Sequence, residues 1–217
     1  MNLEEARFNM IEQQIRPWEV LDQRVLDLMM TVPREQFVPA LYRNLAFADI
    51  QIPLGHGQTM LEPRVEARLL QALNLKPSDQ VLEIGTGSAY LTALLAKSVQ
   101  QVWSLDVVPE FTKTADAKLA ALGIDNVTLE TANAFQGYKP QVSYDAIVLT
   151  GSVPLPPTEF YEQLSVGGRL FAVVGLAPIM EARLITRISA TEWVTESLFE
   201  TEIPALVGVA QPQRFIF

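Results

Sequence analysis

The sequence predicts a doubly wound α/β domain from about residue 64 onward, preceded by a helical N-terminal segment. Three observations carry this. Short apolar runs of strand length alternate with longer segments of helical spacing. One of those runs, QVLEIG at 80–85, leads into a glycine turn that opens a helix. An acid, Asp106, closes the next run 21 positions after Gly85, at the sheet edge where such folds hold ligands.

The elements follow in order. Residues 3–15 place Phe8, Ile11 and Ile15 on one side of a helix that ends before Pro17. A second helix is expected from about Asp22 to Met30, stopped by Pro33. Residues 33–63 are too punctuated by proline and glycine for one long element, and Leu69, Leu70 and Leu73 then give a helical face ending near Leu75. Beyond it come a strand at 80–85, a helix at 89–99 and a strand at 101–107. The helix at 109–123 has Pro109 near its start and Gly123 at its end. Strands are expected at 126–132 and 144–151, a helix over roughly 157–165, and a buried strand at 167–175. Leu184–Ile188, Trp193–Phe199 and Arg214–Phe217 read as antiparallel strands rather than further strand–helix units. The chain is expected to be a single domain over 1–217, with 1–63 as an N-terminal helical and loop extension and 64–217 as the α/β core.

Composition narrows the function. The 217 residues are 49% hydrophobic and 19% charged, enough apolar material for a sizeable core. Twenty-five acids against 16 bases give a net charge of −9, so nucleic acid and anionic membranes are poor partners. Cysteine is absent and His56 is the single histidine, which removes thiolate chemistry and multi-histidine metal sites; no metal is expected. The N-terminus lacks the apolar core of a signal peptide and no run is long enough to span a bilayer, so a cytoplasmic location is expected.

The turn V81-L82-E83-I84-G85-T86-G87-S88-A89-Y90 carries the chemistry. Glycines at 85 and 87 let the backbone turn sharply and let a ligand approach it. A dinucleotide wants a small residue where Tyr90 stands. S-adenosyl-L-methionine suits the turn better: it has no phosphate, Asp106 can accept from its ribose hydroxyls, and Glu83 places negative charge near an ammonium and a sulfonium. An ordinary tight turn is the remaining alternative. At the third strand end Asn133 can pair with adenine edges, and Phe135 either stacks there or is core.

Ahead of the sheet stands PLGHGQTMLEP, a loop that either turns a corner or walls a ligand site. Thr59 can line the entrance or cap the helix before Pro63, and Gln58 can hold the loop or touch a substrate. His56 reads as a solvent-facing loop residue, and Arg64 and Arg68 as a solvated helix face. Thr150, Gly151 and Ser152 end a strand at the ligand edge. Trp18, Trp103 and Trp193 are packing residues.

QQI (13–15), DQRVLDLM (22–29), VPREQFVP (32–39), IPLGHGQT (52–59) and VLEIGTGSAY (81–90) together resemble the protein-L-isoaspartate (D-aspartate) O-methyltransferases. The likeness continues through NV (126–127), FQG (135–137), YDAIVLT (144–150) and QL-VGGRL (163–170), and more weakly through IPALVG (203–208). It implies a Rossmann-like methyltransferase fold with a mostly parallel sheet, S-adenosyl-L-methionine as donor, and esterification of the α-carboxylate of L-isoaspartyl residues in damaged proteins. The ester then closes to a succinimide without the enzyme. A carboxylate is already ionised at neutral pH, so no general base is needed and catalysis rests on positioning and dehydration. The implied substrate-side residues are Gln58, Thr59 and the position of Leu61. The implied cofactor set is Glu83, Gly85, Thr86, Gly87, Ser88, Asp106, Val107, Asn133 and Ala134. Departures are local: the family usually reads G-Q-T-I-S-x-P where this chain has Met60 and Leu61, glycine where it has Ala89, and G-D-G where it has Ala132-Asn133-Ala134. Leu61 cannot donate the hydrogen bond a serine would, which leaves a different, more apolar acceptor, or cofactor binding without turnover, as the alternative readings.

Overall fold

A computed structural model describes residues 2–136, 138 and 142–209. The expected strand at 214–217 and Gly137 of the FQG motif lie outside these residues.

Helix α1 (Leu3–Met10) starts where the Asn2 side chain accepts from the backbone N–H groups of Glu4 and Glu5. The helical rod continues to Ile15 as expected, but Ile11–Ile15 widens into a π-helical turn and Arg16–Trp18 tightens into a 3-10 turn. Helix α2 (Gln23–Thr31) is capped by Asp22, whose carboxylate accepts from Arg24 N at 2.9 Å.

The segment 33–63 forms no single long element, as its prolines and glycines suggest. After two 3-10 turns it forms a small antiparallel hairpin, β1 (Ile52–Gly55) and β2 (Gln58–Met60). The two linking residues, His56 and Gly57, have φ of 53° and 70°, and positive φ at both positions matches the right-handed twist of a hairpin. Thr59 therefore sits in a strand and does not cap a helix. Helix α3 (Pro63–Leu73) follows, with Pro63 at its first position and Asn74, in the left-handed region, at its end.

The main sheet comprises β3 (Gln80–Ile84), β4 (Gln101–Asp106), β5 (Val127–Thr131), β6 (Tyr144–Val153), β7 (Leu164–Leu176), β8 (Ile179–Arg187) and β9 (Trp193–Glu200). Their spatial order is β5-β4-β3-β6-β7-β8-β9. The first five run parallel, while β7–β8 and β8–β9 are antiparallel. Strand order reverses between β3 and β4 on one side and β6 on the other, which makes the end of β3 the topological switch point. Helices α4 (Tyr90–Ala96) and α5 (Pro109–Ala121) cross over between β3 and β4 and between β4 and β5. The segment expected to be a helix at 157–165 is a 3-10 stretch over Thr158–Gln163, and β8 begins five residues earlier than its apolar run suggests.

One core cluster joins the N-terminal helices to the sheet: Met10, Ile15, Met29 and Phe37 pack in the same cluster as Val81, Val102 and Phe171. Among the described residues no helix is long and apolar enough to cross a membrane. Past β9 the chain turns back over the sheet edge. Ser152 donates its N–H to Pro204 O at 2.9 Å, and Leu206 donates to Ser152 O at 3.0 Å, so residues 203–206 lie alongside the end of β6.

Candidate active site

The C-terminal ends of β3, β4, β5 and β6 open into a cleft of about 750 Å³. Its floor is the turn after β3. Gly85 has φ of 100° and Gly87 of 50°. A Cβ on Gly85 would collide with Thr150 Oγ1, which itself donates to Gly85 O at 2.7 Å. The turn is thus held by β6 in a shape that only glycine fits there.

Asp106 ends β4 with its carboxylate aimed along the same edge. Its Oδ2 accepts from Gly87 N and its Oδ1 from Val108 N, each at 2.9 Å. Burial raises its pKa, and those backbone N–H groups oppose the rise. Each oxygen keeps a lone pair for a ligand hydroxyl.

Glu83 lies fully buried one strand away. Its Oε2 accepts from Thr92 Oγ1 and Ser104 Oγ, both at 2.6 Å, and Thr86 Oγ1 and Ser104 Oγ are 2.7 Å apart. Its Oε1 has no hydrogen-bond partner among the described residues, although the residue lines the cleft. Burial pushes its pKa up to about 8, against the two hydroxyls and with help from Asp106 and Glu66. An orphaned buried acceptor facing a cavity is a demand for a cation or a donor.

A stability consequence follows. The folded pKa of Glu83 lies above its ordinary 4.5, so the native state binds the extra proton and loses stability as pH rises from about 4.5 towards 8. Thermal unfolding of ligand-free wild type and Glu83→Gln at pH 5 and pH 8 checks this. Wild type should lose stability relative to the variant across that interval; parallel changes in the two proteins would exclude it.

The wall opposite the turn is the hairpin with its exit. Leu54, Gln58, Thr59, Met60 and Leu61 all line the cleft. Met60 and Leu61 are buried, so the wall they present is apolar. Gln58 Nε2 donates to Ala205 O at 3.3 Å, and Thr59 Oγ1 to Gln51 Oε1 at 3.2 Å. Gln51 in turn donates to Glu202 O at 2.6 Å. The hairpin and the returning segment are laced together across the cleft mouth, where Leu206 and Val207 complete the lining.

Behind the wall is a buried ion pair. Arg34, fully buried, donates to Ala46 O at 2.9 Å and to Leu61 O at 2.6 Å, and pairs with Glu66. Its guanidinium lies 4.7 Å from the ring centroid of Tyr90. Burial pushes Glu66 up to about 7 in spite of Arg34.

The residues that the resemblance implies border this one cleft: Gln58, Thr59 and Leu61, with Glu83, Gly85, Thr86, Gly87, Ser88, Asp106, Val107, Asn133 and Ala134; Gly151 and Ser152 do not. Phe135 both lines the cleft and packs edge-on against Phe160, 5.4 Å between centroids, so its two readings coexist. Thr150 lines the cleft as well, whereas Ser152 holds the returning segment. His56 is half exposed, 3.3 Å from Glu110 and edge-on to Phe111. Arg64 and Arg68 are not a solvated face. Arg64 pairs with Asp49 and stacks 4.0 Å over Trp18, and Arg68 reaches Trp18 O, Glu19 and the Phe199 ring. Trp18, Trp103 and Trp193 pack against Phe199, Tyr144 and Tyr161. Sequence reasoning missed Phe111, Leu206 and Val207, whose spacing looks like ordinary core, and Glu66, whose charge looks like surface.

The cleft's fit to S-adenosyl-L-methionine is favourable on four counts. The glycine turn borders the cleft, Asp106 offers two acceptors, Glu83 has an unmet acceptor, and Val107, Ala134, Phe135 and Leu206 give apolar cover for an adenine.

The model of the family described as protein-L-isoaspartate (D-aspartate) O-methyltransferase matches residues 5–207. A protein-L-isoaspartate O-methyltransferase from Synechococcus sp. is 37% identical over 207 residues, covering 93% of this chain and 85% of its own. One from Rhodopseudomonas palustris is 39% identical over 204 residues, covering 93% and 83%. In fold, a Plasmodium falciparum chain that bears the same enzyme name, solved in complex with S-adenosyl-L-homocysteine, superimposes with a TM-score of 0.79 at 21% identity, over 95% of this chain and 98% of its own. With the methyltransferase sheet, the glycine turn and Asp106 in one cleft and a family match along nearly the whole sequence, the chain belongs to the protein-L-isoaspartate O-methyltransferase family.

Proposed function

We propose that the protein is a single-domain, soluble cytoplasmic enzyme that methylates the α-carboxylate of L-isoaspartyl residues in damaged proteins, with S-adenosyl-L-methionine as donor. The carrying observation is one cleft with the glycine turn and Asp106 on one wall and the Gln58–Leu61 hairpin exit on the other. When bound, the cofactor supplies an activated methyl group on a sulfonium.

The chain's own residues do the rest. Asp106 would hold the ribose hydroxyls, and Glu83, with its unpartnered Oε1, would serve the cationic amino-acid end. The turn Gly85-Thr86-Gly87-Ser88 supplies backbone contacts, while Val107, Asn133 and Ala134 enclose the base. Gln58 and Thr59 orient the acceptor, and the hairpin with residues 203–207 keeps water from the reacting atoms. An ionised carboxylate needs no base, so this arrangement suffices.

A second reading has its own observation. Met60 and Leu61, 2% and 5% exposed, give the acceptor side an apolar wall, and a carboxylate desolvated against leucine lacks a donor there. An L-isoaspartyl peptide incubated with enzyme and methyl-labelled cofactor separates the two. Ester above a no-peptide control supports repair activity; cofactor binding without ester rejects it, in favour of another acceptor or of binding without turnover. Leu61→Ser is expected to raise kcat/KM for the peptide about tenfold, the worth of one hydrogen bond to a charged group. An unchanged value would remove Leu61 from acceptor recognition.

A further inference from the structure

Glu66 is a buried acid that the proposed reaction does not use. It stands in the first turn of α3, immediately after the hairpin wall, with 2% of its surface exposed. Its Oε2 meets Arg34, yet the residue also lines the cleft, as do Met60, Leu61 and Glu83. Arg34 is itself anchored by bonds to Ala46 O and Leu61 O.

We propose that Glu66 is a second carboxylate, beside Glu83, that faces the positively charged end of the methyl donor and makes the cleft favour the sulfonium over the neutral thioether left after transfer. The inference rests on the cleft holding S-adenosyl-L-methionine.

Charge around the site supports it. Glu66, Glu83 and Asp106 line the cleft, and no lysine or arginine does so among the described residues. Glu62 acts on Glu66 from the start of α3, Arg34 from the segment before the hairpin, and Tyr90 lies beneath the guanidinium. Glu83 in turn feels Glu66 and Asp106. The donor brings an ammonium and a sulfonium, whereas the thioether product brings the ammonium alone. Glu66 lines the cleft together with Glu83 of β3 and with Met60 and Leu61 of the acceptor wall. Donor and product differ by the methyl group and the charge it creates on sulfur, and a carboxylate near that charge acts on one ligand more than the other. Burial holds Glu66 near 7 and Glu83 near 8, so an incoming cation displaces protons from the cleft at neutral pH.

Isothermal titration of S-adenosyl-L-methionine and of S-adenosyl-L-homocysteine at pH 7, in two buffers of different ionisation heat, reads both affinity and protons released. Wild type is expected to release more protons to the donor than to the product. Glu66→Gln is expected to lose that excess and to shift the donor-to-product affinity ratio against the donor by about tenfold. A variant with the wild-type ratio and proton count overturns the proposal. Since Glu66→Gln leaves a buried guanidinium without its counter-charge, the double variant Arg34→Met with Glu66→Gln is titrated as well. It must show the same shift in ratio, and a wild-type ratio there overturns the proposal too. Failure of the wild type to bind either ligand would instead reject the cofactor reading, and this inference with it.

Discussion

Arg34→Met is expected to destabilise the folded protein by about 3–5 kcal/mol, the cost of breaking a buried ion pair by removing one partner. The guanidinium is fully buried and meets Ala46 O, Leu61 O and Glu66 while lying over Tyr90. Methionine fills much of the same volume but leaves two carbonyls and a carboxyl without donors. Those groups belong to three separate stretches of chain, so no local shift satisfies all of them. Chemical denaturation followed by circular dichroism measures the loss. Adding Glu66→Met to the variant is expected to restore part of it, since an apolar pair in place of a buried ion pair is often neutral or better. A loss below about 1 kcal/mol, the level of a solvent-exposed pair, would mean that the pair is far less buried than described.

Asp106→Ala is expected to weaken binding of S-adenosyl-L-methionine by about a hundredfold or more. Two charge-assisted hydrogen bonds to ribose hydroxyls are removed, each worth roughly 1.5–3 kcal/mol. The same change frees the Gly87 and Val108 N–H groups that the carboxylate now holds, so the turn loses an internal tie as well as a ligand contact. Asp106→Asn retains one acceptor oxygen and should fall between the two. Titration calorimetry gives the affinities, and thermal unfolding without ligand separates the lost tie from the lost contact. An alanine variant that binds within threefold of wild type would place the ribose elsewhere.

Much of the sheet is legible in the sequence because β3, β4, β6 and β7 are buried runs bounded by glycine, proline or charge, and the helices between them have a different period. The glycine turn and Asp106 are legible for a related reason: a sharp turn and an acid at fixed spacing have few other uses. The hairpin at 52–60 is not. Its strands are four and three residues long, Pro53 interrupts one of them, and its turn uses His56 where an asparagine would have announced the geometry. Glu66 is missed because a charged residue on an amphipathic helix looks like surface, and its partner lies 32 residues away. Leu206 and Val207 are missed for the same kind of reason, since nothing local says that residues past the last strand return to β6.

That return has a consequence for the order in which the protein is made. The Ser152–Ala205 pairing joins positions more than fifty residues apart, and Leu206 and Val207 complete the lining of the cleft. The turn after β3 and the hairpin are synthesised first and can assemble into an open groove. The groove gains its last lining only when translation has passed β9, so the complete cleft arrives last. A nascent chain halted as β9 begins would carry nearly every lining residue and still lack Leu206 and Val207, whose placement needs a non-local pairing of the kind that slows folding.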